Sequence, residues 1–133
     1  MAGPKILSAL LLAALSTFNA SAGPIEQRQA CVATCGSICY WQKSVDEAVD
    51  AGYELHQAGE TVGNNDYPHA FNNREGFDFA VAGPYQEFPM LNTFDPYTGG
   101  PPGPDRVVFN TAGEYAGAIT HTGAGGNNFV ECE

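Results

Sequence analysis

Three of the four cysteines fall within nine residues, at Cys31, Cys35 and Cys39, and the fourth, Cys132, is the penultimate residue. If all four are oxidised, one disulfide must run from Cys132 back to the N-terminal cluster. Such a bond closes the chain end to end and restricts the unfolded state by a few kcal/mol. Four cysteines allow three pairings, and their spacing does not choose among them. A C-x3-C-x3-C run with a distant fourth cysteine is not a common zinc spacing, and an oxidising compartment disfavours a zinc thiolate site. Disulfides are therefore expected, with no metal or other cofactor.

The oxidising compartment follows from the first 22 residues. Lys5 precedes the apolar run Ile6 to Leu15, and Ala20, Ser21 and Ala22 supply small residues for cleavage, the layout of a secretory signal peptide. The apolar run is ten residues long, well short of the roughly 20 that cross a bilayer as a helix. Residues 23–30 have no periodicity and read as a pro-segment or disordered N-terminus, leaving a domain over 31–133. The expectation is a secreted protein with no membrane partner. A domain of about 100 residues has a thin core, which disulfides help to hold.

Charge narrows the partners. From Cys31 onward there are three basic residues (Lys43, Arg74, Arg106) and fourteen acidic ones, a formal net charge of −11. Such a surface cannot track a long phosphate backbone, so any nucleic-acid chemistry must rest on one or two nucleotides recognised locally.

Ser44-Val45-Asp46-Glu47 has the form of a capping box, with Ser44 as N-cap. Val45, Ala48, Val49, Gly52, Tyr53 and Leu55 continue it as an apolar helical stripe that Gly59 is placed to end. The rest reads as strands, over 67–71, 77–81, 85–89, 105–110, 115–121 and 128–132, separated by Gly-, Pro- and Asn-rich turns. One helix and a run of short antiparallel strands argue for an α+β domain, the helix on one sheet face and the other face open to a ligand.

His56, near the end of the helix, reads as a residue favoured by the helix dipole, with no site role. His69 lies two residues from Tyr67, so both project from one face of one strand. Glu87, Arg106 and His121 stand within, at the start of, and at the end of three further strands. Should the strand faces align, a carboxylate, two imidazoles, a guanidinium and a phenol converge. Phosphoryl transfer needs such a set: a base, an acid and positive charge for the phosphate oxygens. Residue types alone leave ordinary salt bridges as the competing reading.

The strings YPHAFNNREGFDF (67–79), GPYQEFP (83–89), DRVVFN (105–110) and ITHTGAGGNNFVEC (119–132) resemble the fungal guanyl-specific ribonucleases, and the four cysteines fall where that family has its own. The likeness spans about 31–132. It implies cleavage of single-stranded RNA 3′ to guanosine through a 2′,3′-cyclic phosphate, with Glu87 as base, His121 as acid, His69 supporting the base and Arg106 stabilising the phosphorane. It also implies that Tyr67 hydrogen-bonds a phosphate oxygen and that Phe129 packs beside the phosphate. Guanine would be read by Asn72, Asn73, Glu75 and Asn127, with Phe71 stacking. DNA lacks the 2′-hydroxyl and is excluded as a substrate, and a monomer is expected. Two positions depart from the family: Arg74 stands where a second aromatic commonly covers the base, and Phe71 where Tyr is common. The peptides Tyr67-Pro68 and Gly83-Pro84 are expected to be cis, as such folds carry. A secreted binding module that recognises a guanine nucleotide without cleaving is the alternative class, but Glu87, His69, Arg106 and His121 are all present; a disulfide-stapled structural or cell-wall protein would not require this polar set.

Overall fold

A strand at Asp105–Asn110 is buried at all six positions, and the rest of the fold is arranged around it. The computed structural model describes residues 30–133. The expected signal peptide over 1–22, and residues 23–29 of the segment after it, lie outside the described residues. In chain order the elements are β1 (Ala33–Cys35), β2 (Ile38–Tyr40), α1 (Gln42–Ala58), β3 (His69–Phe71), β4 (Tyr85–Pro89), β5 (Asp105–Asn110), β6 (Tyr115–Thr120) and β7 (Val130–Glu131). β1 and β2 form a separate antiparallel hairpin, and β3 to β7 pair in sequence order as a five-stranded antiparallel sheet. The α+β expectation is met, and the cysteines pair Cys31–Cys39 and Cys35–Cys132.

The helix begins before the expected capping box. Trp41 takes the N-cap position in extended conformation with no side-chain cap, and Ser44 lies inside the first turn. Two i,i+4 contacts account for the earlier start: Gln42 Nε2 donates to Asp46 at 2.9 Å, and Lys43 Nζ to Glu47 at 2.6 Å. Glu47 is thereby engaged with Lys43 instead of folding back to close a box at Ser44. The C-terminal expectation holds. Gly59 is left-handed at φ 71°, and Gly59 N–H and Glu60 N–H donate to the carbonyls of His56 and Leu55 at 3.1 and 2.9 Å.

The buried stripe of α1 is Val45, Ala48, Val49 and Gly52, which packs with Phe88, Val107, Phe109 and Ala118 of the sheet. Gly52 allows the close approach: a Cβ there would lie 2.8 Å from Phe109 and 2.9 Å from Phe88. On the opposite face Val108, Ala116, Ile119 and Phe71 form a second cluster with Phe77, Phe79, Val81, Tyr85 and Phe129. That cluster covers part of the face expected to be open. A bulge between Val108 and Phe109 shifts the β5–β6 register, which is why Ala116 and Ala118 serve opposite cores despite their even spacing.

Residues 77–81 form no strand, contrary to expectation. A Cβ on Gly117 of β6 would meet the Phe79 ring at 2.9 Å, so this segment crosses the sheet face and cannot extend its edge. The strands expected over 67–71, 115–121 and 128–132 are shorter than drawn. Tyr67 bridges to Val62 instead of joining β3, and both expected X-Pro bonds are cis. The β1–β2 hairpin escaped the sequence reading, although Gly36-Ser37 is a hairpin-turn pair.

Candidate active site

Strand alternation brings the expected side chains to the uncovered part of the second face. His69 of β3 stands directly opposite Glu87 of β4 in the register, and Arg106 of β5 pairs across from Pro89, two residues further along β4. His121 follows the end of β6, anchored by its N–H to Pro104 O at 3.0 Å. Tyr67 reaches the same place from the loop before β3, its ring stacked on that of His69 with centroids 4.6 Å apart.

Glu87 is only 7% exposed and Arg106 only 3%, so these charges must be compensated locally. His69 Nε2 lies 3.2 Å from Glu87 Oε2, and Arg106 Nε lies 3.3 Å from Glu87 Oε1. The second contact is an ion pair without hydrogen-bond alignment, leaving the buried Nε–H unpartnered. Nη1 donates to Gly103 O and Asp105 O at 2.7 and 3.0 Å, and Nη2 gives one of its two N–H groups to Tyr67 Oη at 3.0 Å. Burial pushes the Glu87 carboxyl above its ordinary pKa, opposed in turn by the charges of His69, Arg106 and His121.

Backbone carbonyls fix both imidazoles. His69 Nδ1 sits 3.0 Å from Asn65 O and His121 Nδ1 2.8 Å from Asn128 O. A carbonyl only accepts, so Nδ1 carries a proton in each ring and Nε2 faces the site. For His69, Nε2 then shares one proton with Glu87. For His121, the ring lies on Phe129 with centroids 4.0 Å apart, leaving Nε2 available to a ligand.

Beside Glu87 is a cleft of about 440 Å³ lined by Ala70, Phe71, Asn72, Asn73, Arg74, Glu75, Glu87, Asn127, Asn128 and Phe129. Asn73 shapes its floor. In left-handed conformation at φ 53°, its amide exchanges two hydrogen bonds with the backbone of Phe77, at 2.9 and 2.8 Å, so its side chain builds the turn. Glu75 Oε2 accepts from Phe129 N–H at 3.0 Å. A second cleft of about 410 Å³, between Trp41, Lys43 and Phe94, contains none of these residues.

The family model for ribonucleases matches residues 28–133. The chain belongs to the ribonuclease family. Its relatives include guanyl-specific ribonuclease T1 of Aspergillus oryzae, 57% identical over 92% of this chain and 95% of the relative. Guanyl-specific ribonuclease F1 of Fusarium fujikuroi is 57% identical over 91% of this chain and 90% of its own. The extracellular guanyl-specific ribonuclease Fl1 of Gibberella baccata is 58% identical over 74% and 93%. Among solved structures, a ribonuclease of Hericium erinaceus superposes with a TM-score of 0.56 at 31% identity, covering 76% of this chain and 97% of that one.

In this ribonuclease all twelve expected site residues fall in two adjoining groups: Tyr67, His69, Glu87, Arg106, His121 and Phe129 around the carboxylate, and Phe71 to Glu75 with Asn127 around the cleft. Asn65 and Asn128, whose carbonyls hold the imidazoles, were not foreseen. They act through main-chain oxygens, which carry no side-chain signal.

Proposed function

We propose that this ribonuclease cleaves single-stranded RNA on the 3′ side of guanosine, forming a 2′,3′-cyclic phosphate that is then hydrolysed more slowly to a 3′-phosphate. The observation that carries the reading is one carboxylate, Glu87, held between an imidazole and a guanidinium at the mouth of the cleft formed by Phe71 to Glu75. Glu87 takes the 2′-hydroxyl proton as O2′ bonds to phosphorus. The bond to O5′ breaks and His121 Nε2 gives its proton to that oxygen. Water reverses the two roles in the second step. Arg106 brings its positive charge to the oxygens of the phosphorane, and Tyr67 and Phe129 border it. The nucleophile is the substrate's own hydroxyl, so proximity does the work that a metal-activated water would otherwise do. DNA is inert for want of that hydroxyl.

Guanine occupies the cleft. The Glu75 carboxylate accepts from its N1–H and exocyclic amine, the backbone of Asn72 and Asn73 and the carbonyl of Asn127 meet its other edge, and Phe71 and Arg74 lie on its faces. Adenine offers no such donor pair, and leaving polar groups unpaired gives strong discrimination. The protein is secreted as a monomer after removal of residues 1–22.

Digestion of a mixed-sequence RNA by the purified protein in chelator tests the reading directly. Early products should end in guanosine 2′,3′-cyclic phosphate, and ends spread over all four bases would defeat the base assignment. Arg74→Tyr should change guanosine affinity, and an unchanged affinity and selectivity would remove Arg74 from the base site.

A further inference from the structure

Two loops meet at one hydrogen bond. Phe129 N–H donates to Glu75 Oε2 at 3.0 Å, joining the turn that reads the base to the loop that returns from His121. The residues at that junction also hold the acid. The Phe129 ring stacks on the His121 imidazole at 4.0 Å with 23° between planes, and Asn128 O accepts from its Nδ1 at 2.8 Å. Face and edge of the imidazole are thus set by two consecutive residues, 128 and 129.

The loop itself adds little restraint on those two residues. Two of the hydrogen bonds in this stretch, Ala124 N–H to His121 O and Asn128 N–H to Gly125 O, are internal to the loop. Gly123, Gly125 and Gly126 have no atom within 4 Å of where a Cβ would stand, so packing does not fix their course. The pairing of β7 with β6 begins only at Val130. Beyond the loop, the Phe129 ring packs at the margin of the second core, with an edge contact to Phe71, centroids 5.9 Å apart, and the Arg106 guanidinium 6.0 Å from its centroid, while its N–H is held by Glu75.

We infer that Glu75 is a positioning residue for His121: its carboxylate fixes Phe129, and through Phe129 and Asn128 the orientation of the imidazole that protonates the leaving oxygen. The inference rests on the roles given to Glu75 and His121 under the proposed function. Base recognition and proton donation then share one side chain, which lines the cleft while its Oε2 holds the loop. A guanine that orders Glu75 also orders the acid.

The discriminating substrate is one whose base does not need the carboxylate. On adenylyl-3′,5′-cytidine, under single-turnover conditions, Glu75→Ala should lower the cleavage rate roughly tenfold, as expected for losing a charge-assisted hydrogen bond. Glu75→Gln keeps an acceptor for Phe129 N–H, so on this substrate its loss should be several-fold smaller than that of the alanine variant. The Phe129 amide should exchange with solvent faster in the alanine variant only. An alanine variant with the wild-type rate on this substrate would overturn the inference. Equal losses in both variants would do so too, by assigning the effect to charge. On guanylyl-3′,5′-cytidine both variants should be impaired. If neither is, the base-reading role of Glu75 fails, a result separate from the adenylyl comparison.

Discussion

Between His69 and Arg106, the Glu87 carboxylate is close enough to both cations for charge compensation, yet its pKa is still raised by burial. The unfolded chain releases this proton near pH ~4.3, while the native state holds it to higher pH. Across that window the native state binds more protons than the unfolded one, so stability falls as pH rises, and the full penalty stands above the native pKa. The thermal midpoint of Glu87→Gln relative to wild type should therefore rise between acid and pH 7, on top of the fixed cost of leaving Arg106 without its carboxylate, while kcat drops by about 10²–10⁴. A difference that stays constant or falls over that range would contradict this. Strand alternation accounts for His69, Glu87 and Arg106 sharing one face, because side chains on strands repeat every two residues, whereas Tyr67 joins them from the loop before β3. It could not show that Asn65 and Asn128 set the imidazole tautomers, since any residue type offers a carbonyl there. Nor could it show that Asn73 spends both ends of its amide on the backbone of Phe77.

At the scale of elements, α1 supplies two sharp expectations. Gly52 faces Phe88 and Phe109, and a methyl group there would come within 2.9 Å of both rings. Gly52→Ala gains about 1 kcal/mol of helix propensity but loses about 1–3 kcal/mol to overpacking. The melting temperature should therefore fall, and a rise would mean that the two rings yield easily. Ser44→Ala should change stability by less than about 0.5 kcal/mol, where loss of a true N-cap would cost about 1 kcal/mol. β4 and β5 were readable to the residue because buried alternating runs with firm turns on both sides have only one place to start and stop. The segment 77–81 was misread for the opposite reason. Its apolar period of two is satisfied equally by a strand and by an extended chain lying across a sheet, and only the tertiary partner, Gly117, decides.

Over the whole molecule, the cysteine arrangement sets how the ends are held. Cys35–Cys132 closes a separation of 97 residues and Cys31–Cys39 one of 8. Loop entropy assigns about 4.7 kcal/mol to the first and about 2.5 kcal/mol to the second. Replacing Cys35 and Cys132 together by serine should thus lower the denaturation midpoint clearly more than replacing Cys31 and Cys39, and equal effects would show that chain entropy is not what these bonds supply. The pairing was closed to the sequence reading because three arrangements satisfied the same spacing. The acidic surface makes a second expectation at this scale. Of the three cations from Cys31 onward, Lys43 is engaged with Glu47 and Arg106 is buried, so oligonucleotide affinity should fall only shallowly with salt, with a log–log slope of magnitude about 1. A slope of several units in a titration from low to moderate salt would reveal phosphate contacts beyond the site.

Asp105 and Arg106 are neighbours in β5 with opposite charges and opposite destinations. The carboxylate, beneath the helix-side core, accepts from the hydroxyls of Tyr40 and Thr120, while the guanidinium turns to Tyr67 and Glu87 on the other face. A strand slipped by one residue would exchange them, lodging the cation beside hydroxyls whose carboxylate acceptor has left and aiming an anion at Glu87, where the proposed function puts phosphate. The nearest wrong alignment of the sheet is thereby both poorly solvated and catalytically inert, so one adjacent charge pair acts as a key for threading the central strand correctly.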